Sequence, residues 1–572
     1  MPTISQLLEE KTSQALAVVS GIQVPALVQT TANPQFGDYQ ANGVMAAAKA
    51  QKMNPRELAQ KVIAQFNGIE LPATCEIAGP GFINFRLDAN WVGRTVLAMA
   101  LDERLGVERA ACIETIVVDF SAPNTAKPMH VGHIRSTIIG DALAKTFSFL
   151  GHRVVTDNHV GDWGTQFGML IVGYRTVLDH AAYERDPIAE LERVYKTIQA
   201  QTKADPAVGQ QAREELAKLQ KGDADNLALW KEFTTVSRSV FERVYGRLHV
   251  QFDHWLGESF YNSMLPGVVQ DLQDKGLAQL SEGAMCIFYE KDPDLNGTPF
   301  LVQKQDGAFL YATTDLATIK YRAETFYPDR IIYVVDSRQQ LHFRQLFAAA
   351  QSWGYTMTLE HVGFGTILGE DGKPIKTREG VPIKLEALLN EAEERARAVV
   401  RDKNPSLSEG EQAHIARVVG IGAVKYADLM QNRTADYRFS WDKMLAFEGN
   451  TAPYLQYVYA RIRSIFRKGE LEQWQPEPSM QVQLTAPEEL DLAKQMIRFG
   501  DVLLEVERTY KPNILAGFLY DLATKFNLFY QAHAVLKAPE DVRPTRLLLC
   551  DLTARYIKKG LELLGIETLE AM

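Results

Sequence analysis

Cysteine is scarce in this chain: there are four in 572 residues, Cys75, Cys112, Cys286 and Cys550. They lie far apart, and none forms the C-x-x-C spacing that a zinc knuckle or a dithiol redox centre needs. No metal-ligand set is expected; four buried free thiols in a reducing compartment are. An excess of positive charge is missing too. The formal net charge is -10, from 61 Lys and Arg against 71 Asp and Glu, so the whole chain has no electrostatic footprint for nucleic acid. Any such partner must find local basic surface. The part from residue 461 onward is nearest to balance, with 15 basic and 16 acidic residues. No apolar run approaches the roughly 18 residues of a membrane span. The opening "MPTISQLLEEKTSQAL" is a polar amphipathic helix without the basic-then-apolar order of a secretory signal. A cytoplasmic protein with no membrane partner is the expectation.

What is present is an ordinary globular composition, 46% hydrophobic and 23% charged, on a chain long enough for about three or four domains. Residues 1–110 read as a small α/β unit, with helices near Ile4–Ser20 and Pro55–Gln65, a loop "NPQFGDYQANG" and a strand at "GFINFRL". At "TIVVDF" a β-rich, continuously apolar run predicts a strand buried on both faces of a parallel sheet. A Pro/Asn loop, the turn "HVGH", the helix "IRSTIIGDALAKTFSFLGH" and the strand "RVVTDNHVGD" complete a β-α-β unit. A second run around "YATTDLATIKYRAETFYPDRIIYVVDSRQQLHFRQLFAAAQSWG" repeats the logic. The fold class is therefore α/β. Its catalytic domain, residues 111–435, is a Rossmann-type doubly wound parallel sheet interrupted by a mostly helical insertion at about 176–306. From residue 436 to 572 apolar residues recur with a period of 3.6, which predicts an all-α bundle. "GFGTILG" and "GIGAVK" lack the full dinucleotide fingerprint and read as turns and close helix packing.

The stretch "VVDFSAPNTAKPMHVGHIRSTIIGD" carries the chemistry. Where a parallel strand turns into a helix, free backbone N–H groups and the positive end of the helix dipole make an anion site. His130 and His133 can donate hydrogen bonds to phosphoryl oxygens whose charge grows as a phosphate is attacked. Gly132 between them leaves room for a flat base against the backbone. Two close histidines also suit a metal, but no H-E-x-x-H or cysteine pair accompanies them.

"HVGH" resembles the HIGH signature of class I aminoacyl-tRNA synthetases, and "DFSAPNTAKPMHVGHIRST" is similar to the arginyl-tRNA synthetase family in particular. "FGDYQANG", "NHVGDWGTQFGMLI", "YATTDLA", "YVVDSRQQLHFRQ", "VGIGAVKYADL" and "FEGNTAPYLQYVYAR" agree with that family in the same order, so the resemblance spans essentially the whole chain. It implies a ligase that joins L-arginine and ATP into an arginyl-adenylate, releases pyrophosphate, and transfers arginine to the terminal ribose of tRNA(Arg). ATP is then a substrate, with Mg2+ expected. The resemblance also implies activation that waits for bound tRNA, and a monomer. His130, His133 and Lys127 would be catalytic. The usual K-M-S-K-S loop is absent; "EDGKPIKTREGVPIKL" stands in its place, with Lys373 and Lys376 as ATP-binding candidates beside Gly132. Lys127, just ahead of the signature, is the preferred phosphate partner.

A guanidinium pairs bidentately with carboxylates, and its plane separates it from lysine. By match to the family motifs, Asp119 and Asp315 would hold it, with Tyr311 and Gln339 lining the pocket and Asn124 and His133 near the amino acid's backbone groups. For tRNA, Phe36 and Tyr39 would stack on a splayed base while Gln40 and Asn42 hydrogen-bond it. Tyr454, Tyr457, Tyr459 and Arg461, with Arg463, Arg467 and Lys468, interleave rings and charge on the first bundle helix, although a period of 3.6 puts some of those rings in the core. Three other readings compete. Another class I synthetase, for glutamine, glutamate or cysteine, is one, but the acid pair Asp119 and Asp315 suits a cationic substrate better, and the zinc ligands expected of the cysteine enzyme are absent. A silent RNA-binding relative has no need of an α-phosphate site, and a small nucleotidyltransferase has no need of a long helical bundle.

Overall fold

Four short strands make the central sheet: β1 (Thr115–Phe120), β2 (Arg153–Asp157), β3 (Arg330–Val334) and β4 (Thr358–His361). Ile116, Val117, Val118, Ile331 and Ile332 are fully buried, as the unbroken apolar runs require of strands covered on both faces. The order across the sheet is β4-β3-β1-β2 with every pair parallel. The chain leaves β1 through helix α1 (Val131–Leu150) to β2 on one side. It then returns to the other side of β1 for α2 (Tyr311–Phe326), β3, α3 (Gln340–Trp353) and β4. Direction therefore reverses between β1 and β3, and the carboxyl ends of these neighbours open a crevice. The computed structural model describes residues 2–31, 33–67, 71–289, 292–369, 371–373, 375 and 383–572.

The insertion between β2 and α2 is mostly helical, including Leu265–Asp274 late in the segment, but it is not all-helical. Helices run from Thr165 to Leu248, but a three-stranded antiparallel sheet, Ala278–Ser281, Ala284–Ile287 and Phe300–Gln303, closes it. Strands of four residues are too short for a period-2 signal to emerge from sequence. The N-terminal unit is a four-stranded antiparallel sheet with helices Ile4–Ser20, Gly43–Gln51 and Pro55–Ala64. Thr3 and Gln6 cap the first helix reciprocally, and Gly21 ends it in the left-handed conformation. Asp38 reaches Lys494 at 2.9 Å and Ser5 reaches Asp501 at 2.9 Å, fastening this unit to the C-terminal bundle.

Helix α4 (Glu409–Leu429) crosses from the sheet to the bundle that begins with α5 (Ala452–Lys468). The glycines of "GIGAVK" lie inside α4: a Cβ on Gly420 would meet the Ala392 carbonyl oxygen at 2.7 Å, so the glycine permits close helix packing. Two buried ion pairs couple α4 to α1. Arg135 Nε lies 3.0 Å from Asp428, and Lys425 Nζ, 3.7 Å from Asp141, also donates to the carbonyls of Leu248 and Gly565 at 2.6 Å. Cys286 and Cys550 are buried, but Cys75 is half-buried and Cys112 exposed, which corrects the expectation of four buried thiols. Cys112 lies on the irregular link before β1, where little apolar surface is available to cover it. Among the described residues no helix is long and apolar enough to cross a membrane.

Candidate active site

The HVGH turn caps α1 with its own imidazoles. His130 Nδ1 accepts the Gly132 N–H at 3.0 Å, and His133 Nδ1 accepts the His130 N–H at 3.0 Å. Two orphan donors of the helix terminus are thus satisfied reciprocally, as in a capping box. An Nδ1 that accepts a backbone N–H carries no proton, so each neutral ring is an Nε2–H donor. Burial lowers the His130 pKa and takes that of His133 down to about 3, with the neighbouring ring adding to the second effect. The two rings lie 3.9 Å apart between centroids. Gly132 is needed for these rings: a Cβ there would meet His130 Cε1 at 2.8 Å.

The turn faces a cleft of about 430 Å³ at the switch point, lined by Asn124, His130, Gly132, His133, Asp336, Gln339, Phe364 and Ile375 among others. The loop from β1 into α1 holds Ser121, Ala122 and Ala126 at positive φ, strain typical of functional loops. Asn158 anchors it through the Ala122 N–H at 3.1 Å. Residues 383 to 385 pair with the backbone of the turn: the Val131 N–H donates to the Ile383 carbonyl and the Leu385 N–H to that of Met129, each at 2.9 Å. Lys127 is not brought to the cleft. Its ammonium lies 4.5 Å above the Tyr195 ring on the insertion, because a half-buried cation finds an aromatic face there. Lys373 is exposed, its N–H donates to Asp371 at 3.0 Å, and it does not line the cleft. Lys376 lies outside the described residues.

Beside the cleft the carboxylates sort themselves by partner. Asp119 and Asp157 are register neighbours at the tips of β1 and β2, and the fully buried Arg322 of α2 bonds to both, at 2.6 and 2.8 Å. Burial works against that guanidinium, but the two carboxylates hold its pKa well above the ordinary value. Asp119 is therefore already paired with an internal arginine, which corrects its expected place in a free fork. Asp315 is half-buried on the first turns of α2, with Tyr311 exposed at the helix start. A second acid near Asp315 is Glu258, which the sequence did not single out. Burial raises its carboxyl pKa to about 7, with Asp315 and Asp162 adding to the rise and His159 opposing it. Only its setting in "GESFYN", an acid beside two aromatics, could have signalled it. Asn124 and Gln339 are exposed to the same opening.

The tRNA candidates divide by burial. Phe36 is 51% exposed, but Tyr39 is 2% exposed and belongs to the small-domain core. It points inward because β-strand alternation places Tyr39 and Ala41 on the covered face. Gln40 bonds Asn84 at 2.7 Å, and Asn42 sits half-buried before the next helix. On α5, Tyr457 is exposed, Tyr454 is tied to Asn527 at 2.8 Å, and Tyr459 is buried. Tyr457, Arg461, Arg467, Lys468, Tyr530 and Met572 share a groove of about 510 Å³, with Arg461 stacked 4.5 Å from the Tyr530 ring.

Comparison with known proteins agrees with this geometry. Residues 95–441 match the family described as tRNA synthetases class I (R), catalytic domain, which makes the chain a class I aminoacyl-tRNA synthetase. Residues 3–87 match the arginyl tRNA synthetase N terminal domain and residues 455–572 the DALR anticodon binding domain. The chain belongs to the arginyl-tRNA synthetase family. The arginine–tRNA ligase of Hahella chejuensis is 48% identical over 100% of both chains, and that of Chromobacterium violaceum 47% over 100% of both. The structure of arginyl-tRNA synthetase from Plasmodium falciparum superposes with a TM-score of 0.85 at 29% identity, covering 100% of both chains. The Thermus thermophilus structure gives 0.82 at 26% identity, covering 99% of this chain and 100% of its own.

Proposed function

We propose the following assignment of roles within the ligation of L-arginine to tRNA(Arg), a reaction in which ATP first gives an enzyme-bound arginyl-adenylate and pyrophosphate. The observation that carries it is the pair of neutral Nε2–H donors of His130 and His133, at the amino end of α1 and the switch point of the sheet. There they bind the α-phosphate and strengthen their bonds as its oxygens gain charge. Gly132 and Phe364 border the nucleotide.

Arginine lies with its guanidinium between Asp315 and Glu258 and against Tyr311, and with its backbone groups toward Asn124 and Gln339. Asp119, held by Arg322, adds fixed negative potential at the pocket floor. Lys127 serves the departing pyrophosphate by leaving the Tyr195 ring, since a cation–π contact worth about 0.5–1 kcal/mol is readily exchanged for phosphate. Lys373 and Lys376 are the alternatives. Mg2+ enters with the phosphates of ATP: among the described residues no group of three His, Cys, Asp or Glu is arranged to hold a metal.

Residues 1–110 with Phe36, and 436–572 with Tyr457 and Arg461, hold the tRNA outer corner and the anticodon around a catalytic domain of 111–435. A cytoplasmic monomer suits these parts. The test is pyrophosphate exchange into ATP with each of the twenty amino acids, with and without total tRNA. Exchange with arginine alone, and only when tRNA is present, is the expected result. Exchange with a different amino acid, or none under any condition while tRNA still binds, would overturn the assignment.

A further inference from the structure

The phrase "YVVDSRQQLHFRQ" contains a histidine that the assignment above leaves without a role. His342 stands in the first turn of α3, and its Nε2 lies 2.6 Å from Oδ2 of Asp315. The two side chains are 15% and 21% exposed, so the pair is largely screened from bulk water. Three aromatic rings surround the imidazole: Tyr311 at 5.1 Å, Phe343 at 5.4 Å and Phe300 at 5.6 Å between centroids. Phe343 is itself stacked on His361 at 4.6 Å. The donor that meets Asp315 therefore has little freedom to turn.

This matters because an aspartate carboxylate turns easily about its last torsion, which has broad wells. A guanidinium is gripped by two parallel N–H···O bonds only if the carboxylate lies in its plane, whereas an ammonium accepts almost any orientation. One fixed hydrogen bond to Oδ2 stops the rotation and leaves Oδ1 and the second lone pair of Oδ2 for a planar partner. Glu258, close enough to Asp315 for their charges to interact, approaches from the insertion side.

We propose that His342 is a positioning residue that determines specificity: by holding Oδ2 of Asp315 it sets the carboxylate plane that selects a guanidinium over an ammonium. The inference rests on the reading of Asp315 as the guanidinium acceptor.

The test is steady-state pyrophosphate exchange with tRNA present, varying arginine and ATP separately, with lysine as a competing inhibitor. Wild type is compared with His342→Ala, His342→Gln and Asp315→Asn. His342→Ala should raise KM for arginine about tenfold, the worth of one charge-assisted bond. It should leave kcat and KM for ATP nearly unchanged, and lower the ratio of lysine Ki to arginine KM by a similar factor. His342→Gln, whose amide can donate to Asp315, should recover most of the loss. An unchanged KM for arginine in His342→Ala, a parallel rise for ATP, or a Gln variant no better than Ala would each overturn the inference. Asp315→Asn separates the two levels. If it leaves KM for arginine unchanged, the reading of Asp315 fails; if it raises KM and His342→Ala does not, only the role of His342 fails.

Discussion

The rings of His130 and His133 lie 3.9 Å apart between centroids, tilted by 35°, and each spends its Nδ1 on a backbone N–H of the same turn. The arrangement fixes which nitrogen carries the proton and aims both remaining donors outward. Replacing either ring by alanine removes one donor to the developing phosphate charge. A fall in the exchange rate of about 10²–10³-fold is expected, with KM for arginine little changed. Single-turnover exchange at saturating arginine checks it.

The same histidines make folding sensitive to acid. Their folded pKa values lie below the ordinary 6.5, that of His133 at about 3, so the unfolded chain binds more protons in between. Stability is then complete above about pH 6.5 and lost progressively as the pH falls toward 3. Thermal unfolding between pH 7 and 5 should show a shallower decline in His133→Asn than in wild type.

Glu258 has the opposite linkage. With a carboxyl pKa near 7 instead of 4.5, the folded state holds the extra proton, and stability falls as the pH rises from about 4.5 to about 7. Glu258→Gln should therefore melt higher than wild type at pH 8. It should also raise KM for arginine, and the increase in that KM expected of wild type as the pH drops below about 7 should vanish.

Arg322 compensates two buried carboxylates at once. Arg322→Met leaves Asp119 and Asp157 unpaired, at a cost of about 3–5 kcal/mol. Adding Asp157→Asn should return part of that loss, because one of the two stranded charges is removed. Urea unfolding of both variants measures the difference.

The aromatic residues proposed for tRNA separate by the same kind of experiment. Tyr457→Ala and Phe36→Ala should raise KM for tRNA about tenfold or more, consistent with about 1–3 kcal/mol per stacked base, without altering Tm. Tyr39→Ala should lower Tm, since its ring fills the small-domain core.

The strand–turn–helix at residues 115–150 was legible in sequence because its signals are local. An unbroken apolar run, a Pro/Asn loop and a periodic helix each depend on neighbours a few positions away. The resemblance then carried the order of motifs from one end of the chain to the other, and with it the α/β catalytic sheet and the helical bundle. Which polar groups would be free was not local. Asp119 and Asp315 look alike as acids at element ends, yet Asp119 meets the guanidinium of Arg322, 203 positions away, while Asp315 meets the imidazole of His342. Tyr39 and Tyr457 are both tyrosines in polar phrases, and only the face each element turns inward separates core from surface. Glu258 acquires its perturbed carboxyl only when the turn after the insertion helices folds against α2. Sequence by itself determined the longer elements and the turn that opens α1; tertiary packing decided which charges are compensated, because partners in a low-dielectric interior are chosen by proximity in space.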